Sequence, residues 1–161
     1  MGVNFAKGHL SNAVMIRIEP GFDLIEGIEN VCQKFEIESG VITCCIGSLQ
    51  KASYFLPVPL ENRFGTGYGD PNILDGPLEL LSGQGMIGKE ENGEYFIHLH
   101  GLVSDKDRNV YGGHLIKGEN PVLITCEIMI SRIQGVKMIR TYDPKVDMKV
   151  LMPFSQLKHT L

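Results

Sequence analysis

Residues 95–117, YFIHLHGLVSDKDRNVYGGHLIK, decide the fold. Ile97, Leu99, Gly101 and Val103 alternate with Phe96, His98, His100 and Leu102, the period-two pattern of a strand with two different faces. The polar run 104–109 breaks this pattern, and Val110 to Lys117 resumes an extended reading. The segment therefore reads as a hairpin turning about Asp107, which sets His100 opposite His114 and His98 opposite Ile116 on one face. A one-residue slip would send His114 to the other face, and Gly112-Gly113 has the composition of a bulge that would do the same.

Further strands read outward from this hairpin. Leu78–Gly88, Val122–Ile133 and Lys137–Tyr142 are separated from it and from one another by short turns at Asn92-Gly93, Gly118-Glu119-Asn120 and Gln134-Gly135. His9–Glu19 forms a first strand that Pro20-Gly21 ends. The apolar, β-branched run Val41–Ile46 reads as a strand covered on both faces, interrupted by Gly47-Ser48. A helix is expected over residues 23–36, where Asp23 and Glu26 resemble a capping pair and Ile25, Ile28, Cys32 and Phe35 form one apolar stripe. The stretch from Pro57 to Pro77 holds four prolines and four glycines with little periodicity, which predicts a long loop of the kind that often carries function. One helix with many strands implies an α+β domain, a mostly antiparallel sheet with the helix packed on it.

The chain has 161 residues and 17.8 kDa, the size of one domain. We expect a single domain over 1–161, with its core over about 10–143 and a C-terminal extension over 144–161. A mean hydropathy of +0.01 with 43% hydrophobic and 21% charged residues is ordinary globular composition. No segment approaches the ~18 consecutive apolar residues of a spanning helix, and no signal-like run opens the chain, so a cytoplasmic protein without membrane contact is expected. Gly2 follows Met1, but Ala6 stands where a myristoylation signal has Ser or Thr. Cys32, Cys44, Cys45 and Cys126 form no C-x-x-C pair and read as reduced, buried thiols. The net charge of −4, and a net −5 over residues 19–38, weigh against a DNA-facing surface there. A net +3 over residues 132–149, from Arg132, Lys137, Arg140, Lys145 and Lys149, reads as a solvated strand face or an anionic contact.

Three of the five histidines fall within seventeen residues. In a strand His98 and His100 share a face, and His114 joins them across the hairpin at a Cβ spacing of ~5 Å. Three imidazoles so placed can hold one zinc at ~2.0–2.1 Å per bond and leave a fourth position open, although half-exposed histidines of a sheet face would show the same spacing. Nickel, copper or iron would also suit such a set. Glu127, within the apolar run Ile124–Met129, must be paired, metal-bound or protonated if it is buried. Glu79 is a second carboxylate of that type, and the two are the expected proton carriers. Gly65-Thr66-Gly67 and Gly83-Gln84-Gly85 match no phosphate-binding loop and read as backbone bends. His9 and His159 lie near the termini and receive no role.

Five motifs in order carry a family resemblance: Arg17-Ile18-Glu19-Pro20-Gly21-Phe22-Asp23-Leu24, Gly40-Val41-Ile42, Ile46-Gly47-Ser48-Leu49, Leu78-Glu79-Leu80-Leu81-Ser82-Gly83, and His98-Leu99-His100 through Gly112-Gly113-His114-Leu115. Over about residues 10–133 the chain resembles the PPC domain, the plant and prokaryote conserved domain, in its prokaryotic single-domain form. The resemblance implies an α+β fold with a highly twisted, mostly antiparallel sheet and one main helix, assembled as a homotrimer. It also implies a DNA-binding or regulatory role, but the basic Arg-Gly-Arg-Pro segment that accompanies the domain in plants is missing. The fold implied is similar to that of acetolactate decarboxylase, whose zinc is held by an H-x-H strand and a later histidine, as His98, His100 and His114 stand here. The alternative function is therefore a zinc-dependent lyase-like or hydrolytic enzyme acting on a small anionic metabolite, with residues 57–77 closing its pocket.

Overall fold

A computed structural model describes residues 3–156, so His159 lies outside it. The strands are β1 (His9–Ile18), β2 (Gly40–Phe55), β3 (Pro57–Pro59), β4 (Thr66–Tyr68), β5 (Asn72–Glu90), β6 (Tyr95–Ser104), β7 (Val110–Leu115), β8 (Val122–Gln134), β9 (Val136–Asp143) and β10 (Met148–Ser155). One helix, α1 (Leu24–Lys34), lies between β1 and β2. The fold is α+β: eight strands form one sheet in the order β1-β8-β2-β7-β6-β5-β9-β10, antiparallel except where β9 runs parallel to the end of β5. β2 also pairs with β5, so β2, β7, β6 and β5 curl into a closed loop of strands. No described helix is long and apolar enough to cross a membrane.

Helix α1 begins where Asp23 Oδ1 accepts hydrogen bonds from the backbone N–H groups of Ile25 and Glu26, and a capping side chain of this kind satisfies donors that the first turn leaves free. Its stripe of Leu24, Ile25, Ile28 and Cys32 is buried against β6 and β1. The core continues through Leu49, Leu78, Leu80, Leu99, Val103, Leu115, Ile128 and Ile130, all on one face of the sheet. The other face is largely uncovered: Met15, Ile46, Met86 and Leu102 are exposed. The strand around Val41–Ile46 is thus covered on one face within the chain, not on two; Ile42 and Cys45 point inward while Cys44 and Ile46 face out. For the same reason Cys44 is exposed, whereas Cys32, Cys45 and Cys126 are buried as expected.

The structure lengthens two strands beyond the sequence reading and adds three more. β2 runs through Gly47-Ser48 to Phe55, because Gly47 adopts φ +152 and lies so close to β8 that a Cβ there would sit 2.1 Å from the Thr125 carbonyl oxygen. Glycine here permits a close strand crossing and does not end the strand. β5 begins at Asn72, inside the expected loop, and residues 57–68 of that loop form the two-stranded ribbon β3–β4. Beyond β9, the turn near Asp143 returns the chain as β10, paired from Met148 to Ser155.

A single buried amide ties these parts together. Asn120 is fully buried; its Oδ1 accepts from the Ser53 N–H at 2.9 Å, and its Nδ2 donates to the Ile116 carbonyl at 2.6 Å. Its backbone N–H donates to Asp23 Oδ2 at 2.8 Å, so the helix cap, β2 and the segment leaving β7 meet on this residue. Replacing the side chain leaves the Ser53 N–H without its partner and the Ile116 carbonyl with only the longer bond from the Glu119 N–H at 3.3 Å. Asn120→Ala is expected to cost about 2–4 kcal/mol. At this chain length that lowers the melting temperature by roughly 5–15 °C, and thermal denaturation followed by circular dichroism checks it.

Candidate metal centre

The hairpin register is the one that a turn about Asp107 demands. His100 stands opposite His114, and pairing runs without a shift to Ser104 opposite Val110. Gly112 and Gly113 make no bulge. They let β7 lie close to both neighbours, since a Cβ on Gly113 would meet the Phe55 carbonyl oxygen at 2.5 Å and one on Gly112 the Gly101 carbonyl oxygen at 2.3 Å. Parity is preserved, and His114 emerges beside His98 and His100 on the outer face.

The three rings converge. Centroids lie 4.7 Å apart for His98 and His114, 5.0 Å for His98 and His100, and 5.3 Å for His100 and His114. One nitrogen from each ring falls within 4.8 Å of the other two. The Nε2 atoms of His98 and His100 face each other at 3.1 Å. Tetrahedral ligands at ~2.0–2.1 Å from a zinc ion stand about 3.3 Å apart, so this pair already has the separation that a shared metal requires. Among the described residues no other group of three metal-ligating side chains converges in this way.

Surrounding residues orient the rings. The Tyr68 hydroxyl lies 3.2 Å from His114 Nδ1, which engages one ring nitrogen and leaves Nε2 as the other. Phe55 stacks on Tyr68, with centroids 5.4 Å apart, and braces it from β2. On the far side Phe96 lies 6.1 Å from His98, and the Arg140 guanidinium sits 4.5 Å above the Phe96 ring while bonding Glu90 at 2.6 Å. Burial, then His100, then Arg140 lower the His98 pKa from its ordinary value. Burial, then His98 and His100, then Arg140 push that of His114 down to about 4. Both rings are therefore neutral, the form in which an imidazole ligates a metal.

The carboxylates lie elsewhere. Glu127 is exposed, opposite Arg17 of β1 and Ile46 of β2, and Glu79 is exposed opposite Ser48 and Ser104. Neither belongs to the group of converging donors. Their charges act on the Cys126 thiol, whose pKa is pushed up to about 11 chiefly by burial. Tyr68, Phe55 and Met148 were missed in the sequence. Only the loop composition around Tyr68 offered a signal, and nothing in residues 144–161 indicated a strand that returns to the site.

Three clefts reach the cluster, and two of them each touch two of its histidines. One, of about 510 Å³, lies on the uncovered sheet face between Val41, Thr43, Gln84, Met86, His98 and His100. The second, of about 380 Å³, runs between the β3–β4 ribbon and Met148 and reaches His100 and His114. In metal-free protein the unfolded chain binds a proton at His114 more readily than the folded chain does. Stability should hold above about pH 7 and fall as the pH drops from 6.5 toward 4. Proton NMR of the histidine rings should show His114 titrating near pH 4, and His114→Gln should flatten the acid limb of the stability curve.

Comparison with known proteins bears on the whole chain. The Plants and Prokaryotes Conserved domain matches residues 6–134. The metal-containing protein AF0104 of Archaeoglobus fulgidus is 25% identical, with a TM-score of 0.78 over 94% of this chain and 99% of that one. A PPC protein of Pyrococcus horikoshii is 28% identical, with a TM-score of 0.75 over 97% and 99%. A structure from Ralstonia eutropha JMP134, named a putative DNA-binding protein, shares the fold at 22% identity, with a TM-score of 0.70 over 85% and 88%. The bifunctional protein GlmU of Synechococcus is 27% identical over 129 residues, 80% of this chain, which spans only 18% of GlmU's length. Matched over most of its length, the chain belongs to the Plants and Prokaryotes Conserved domain family.

Proposed function

We propose that this PPC domain binds one divalent metal ion per chain, with zinc the first candidate, through His98, His100 and His114. The observation that carries the reading is the convergence of three ring nitrogens within 4.8 Å, two of them 3.1 Å apart, with burial and neighbouring charge favouring the neutral forms of His98 and His114. A structural neighbour named as a metal-containing protein supports it. Three protein ligands leave a coordination position for water or a small molecule, and the second cleft opens beside it.

The metal would supply Lewis-acid polarisation of a bound carbonyl or carboxylate. The chain's own residues do the positioning: Tyr68 orients His114, Phe55 braces Tyr68, and the β3–β4 ribbon bounds the cleft. This openness favours the second reading, a lyase-like or hydrolytic enzyme acting on a small anionic metabolite. In that reading Glu127 and Glu79 remain the proposed proton carriers, although both stand apart from the histidines in one chain.

A DNA-binding or regulatory role has support from the names of structural neighbours and less from the surface. The basic run 132–149 is partly committed. Arg132 Nη2 donates to the carbonyls of Phe35 and Glu36 at 2.7 and 2.8 Å, while Arg140 and Lys149 share Glu90. We further propose a homotrimer in the cytoplasm. The uncovered sheet face, with Met15 70% and Leu102 50% exposed, is the surface such an assembly would bury.

Elemental mass spectrometry of untagged protein should find about one metal equivalent per chain, lost in His98→Ala and in His114→Ala with the fold retained. Wild type without metal, or variants that keep it, would defeat the reading. Salt-dependent duplex binding by the metal-free variants would then favour the nucleic-acid role.

A further inference from the structure

The second cleft differs from the first in what walls it. Phe55 and Leu56 form one side, Pro57, Gly67 and Tyr68 of the ribbon another, and Met148 from the start of β10 closes over it. At about 380 Å³ it is near the lower end of the ~300–1,000 Å³ range of small-molecule pockets. Its polar end is His100 and His114, and no acidic side chain lines it. The first cleft lies on the open sheet face that an assembly would cover, whereas this one lies between two hairpins of the same chain.

Resting on the metal reading above, we propose that this cleft binds a monocarboxylate with a short hydrocarbon or aromatic body. The carboxylate faces the histidine end and the apolar body lies against Phe55, Tyr68 and Met148. Three neutral imidazoles leave the charge of a divalent ion uncompensated, and among the described residues no carboxylate lines the cleft to offset it. A negatively charged oxygen donor from the ligand meets that need. The walls beyond the histidines offer few hydrogen-bonding side chains: Thr66 donates its hydroxyl to the Val58 carbonyl, and the Tyr68 hydroxyl is engaged with His114. A second charged group on the ligand would therefore enter the cleft without a partner, which excludes dicarboxylates and sugar phosphates as good occupants. Met148 lies beyond residues 6–134, which the Plants and Prokaryotes Conserved domain matches, so this wall is set by the C-terminal hairpin. Methionine's unbranched, polarisable side chain suits a wall that adapts to bodies of different shape.

The test uses full-length protein loaded with cobalt(II), with metal stoichiometry measured first and the visible absorption of the cobalt followed during titration with acetate, butyrate, hexanoate and benzoate. Hexanoate and benzoate should bind at least about tenfold more tightly than acetate, as burial of several carbon atoms predicts. Met148→Gln, at a side chain 43% exposed and so tolerant of change, should reduce that preference at least threefold while leaving acetate affinity and cobalt content unaltered. Cobalt-loaded protein that binds hexanoate no better than acetate, or a preference that survives Met148→Gln, would overturn the assignment and leave the metal site standing. Protein that takes up no cobalt would overturn the metal reading and this inference with it.

Discussion

The antiparallel register of β6 and β7 is the constraint on which the site depends. Side chains alternate along a strand, so a slip of one residue would leave His114 on the core face among Leu99, Val103 and Leu115. The slip is opposed on both sides. Val103 and Leu115 must stay buried, and the turn from Asp105 to Asn109 is fixed by the Asp105 carboxylate, which accepts from the N–H groups of Asp107 and Asn109. The Asn109 side-chain amide first, and these backbone bonds after it, hold the Asp105 carboxyl below its ordinary pKa. Beyond β7, Asn120 takes up the Ile116 carbonyl and the Ser53 N–H, pinning the strand's end to β2. Core packing, turn chemistry and one buried amide thus all specify the same pairing.

From that register the electrostatics follow. Three imidazoles crowd one another on a partly buried face, and Arg140 repels the protonated forms of His98 and His114. The chain therefore holds basic ring nitrogens close together with no acid in the cluster to pair with them. An arrangement of this kind is costly for protons and favourable for a divalent cation. The neighbouring aromatic residues add orientation through Tyr68 without adding charge.

Much of this was legible in the sequence because it is local. Strand alternation, the H-x-H spacing and the turn about Asp107 place two histidines with certainty on one face and the third by parity, and the capping Asp23 with its apolar stripe marks the helix. What could not be read is what depends on distant approach. Gly47 looks like a strand break, yet it is where β2 crosses closest to β8. Glu127 sits in an apolar run that reads as buried, yet the sheet's outer face is open within the chain and the carboxylate is exposed. Tyr68 reaches His114, and Met148 the cleft beside it, through a ribbon and a returning hairpin whose positions no periodicity encodes. The family resemblance implied the fold as a whole, but its model stops at residue 134 and is silent on the hairpin that walls the cleft.

Diffraction measured on both sides of the zinc absorption edge locates directly an ion held by His98, His100 and His114. One anomalous peak per chain is expected, within bonding distance of a nitrogen from each of the three rings and with a fourth ligand that is not a protein carboxylate. Crystals of zinc-supplied protein with no peak among these rings, or with zinc held by other side chains, would contradict it.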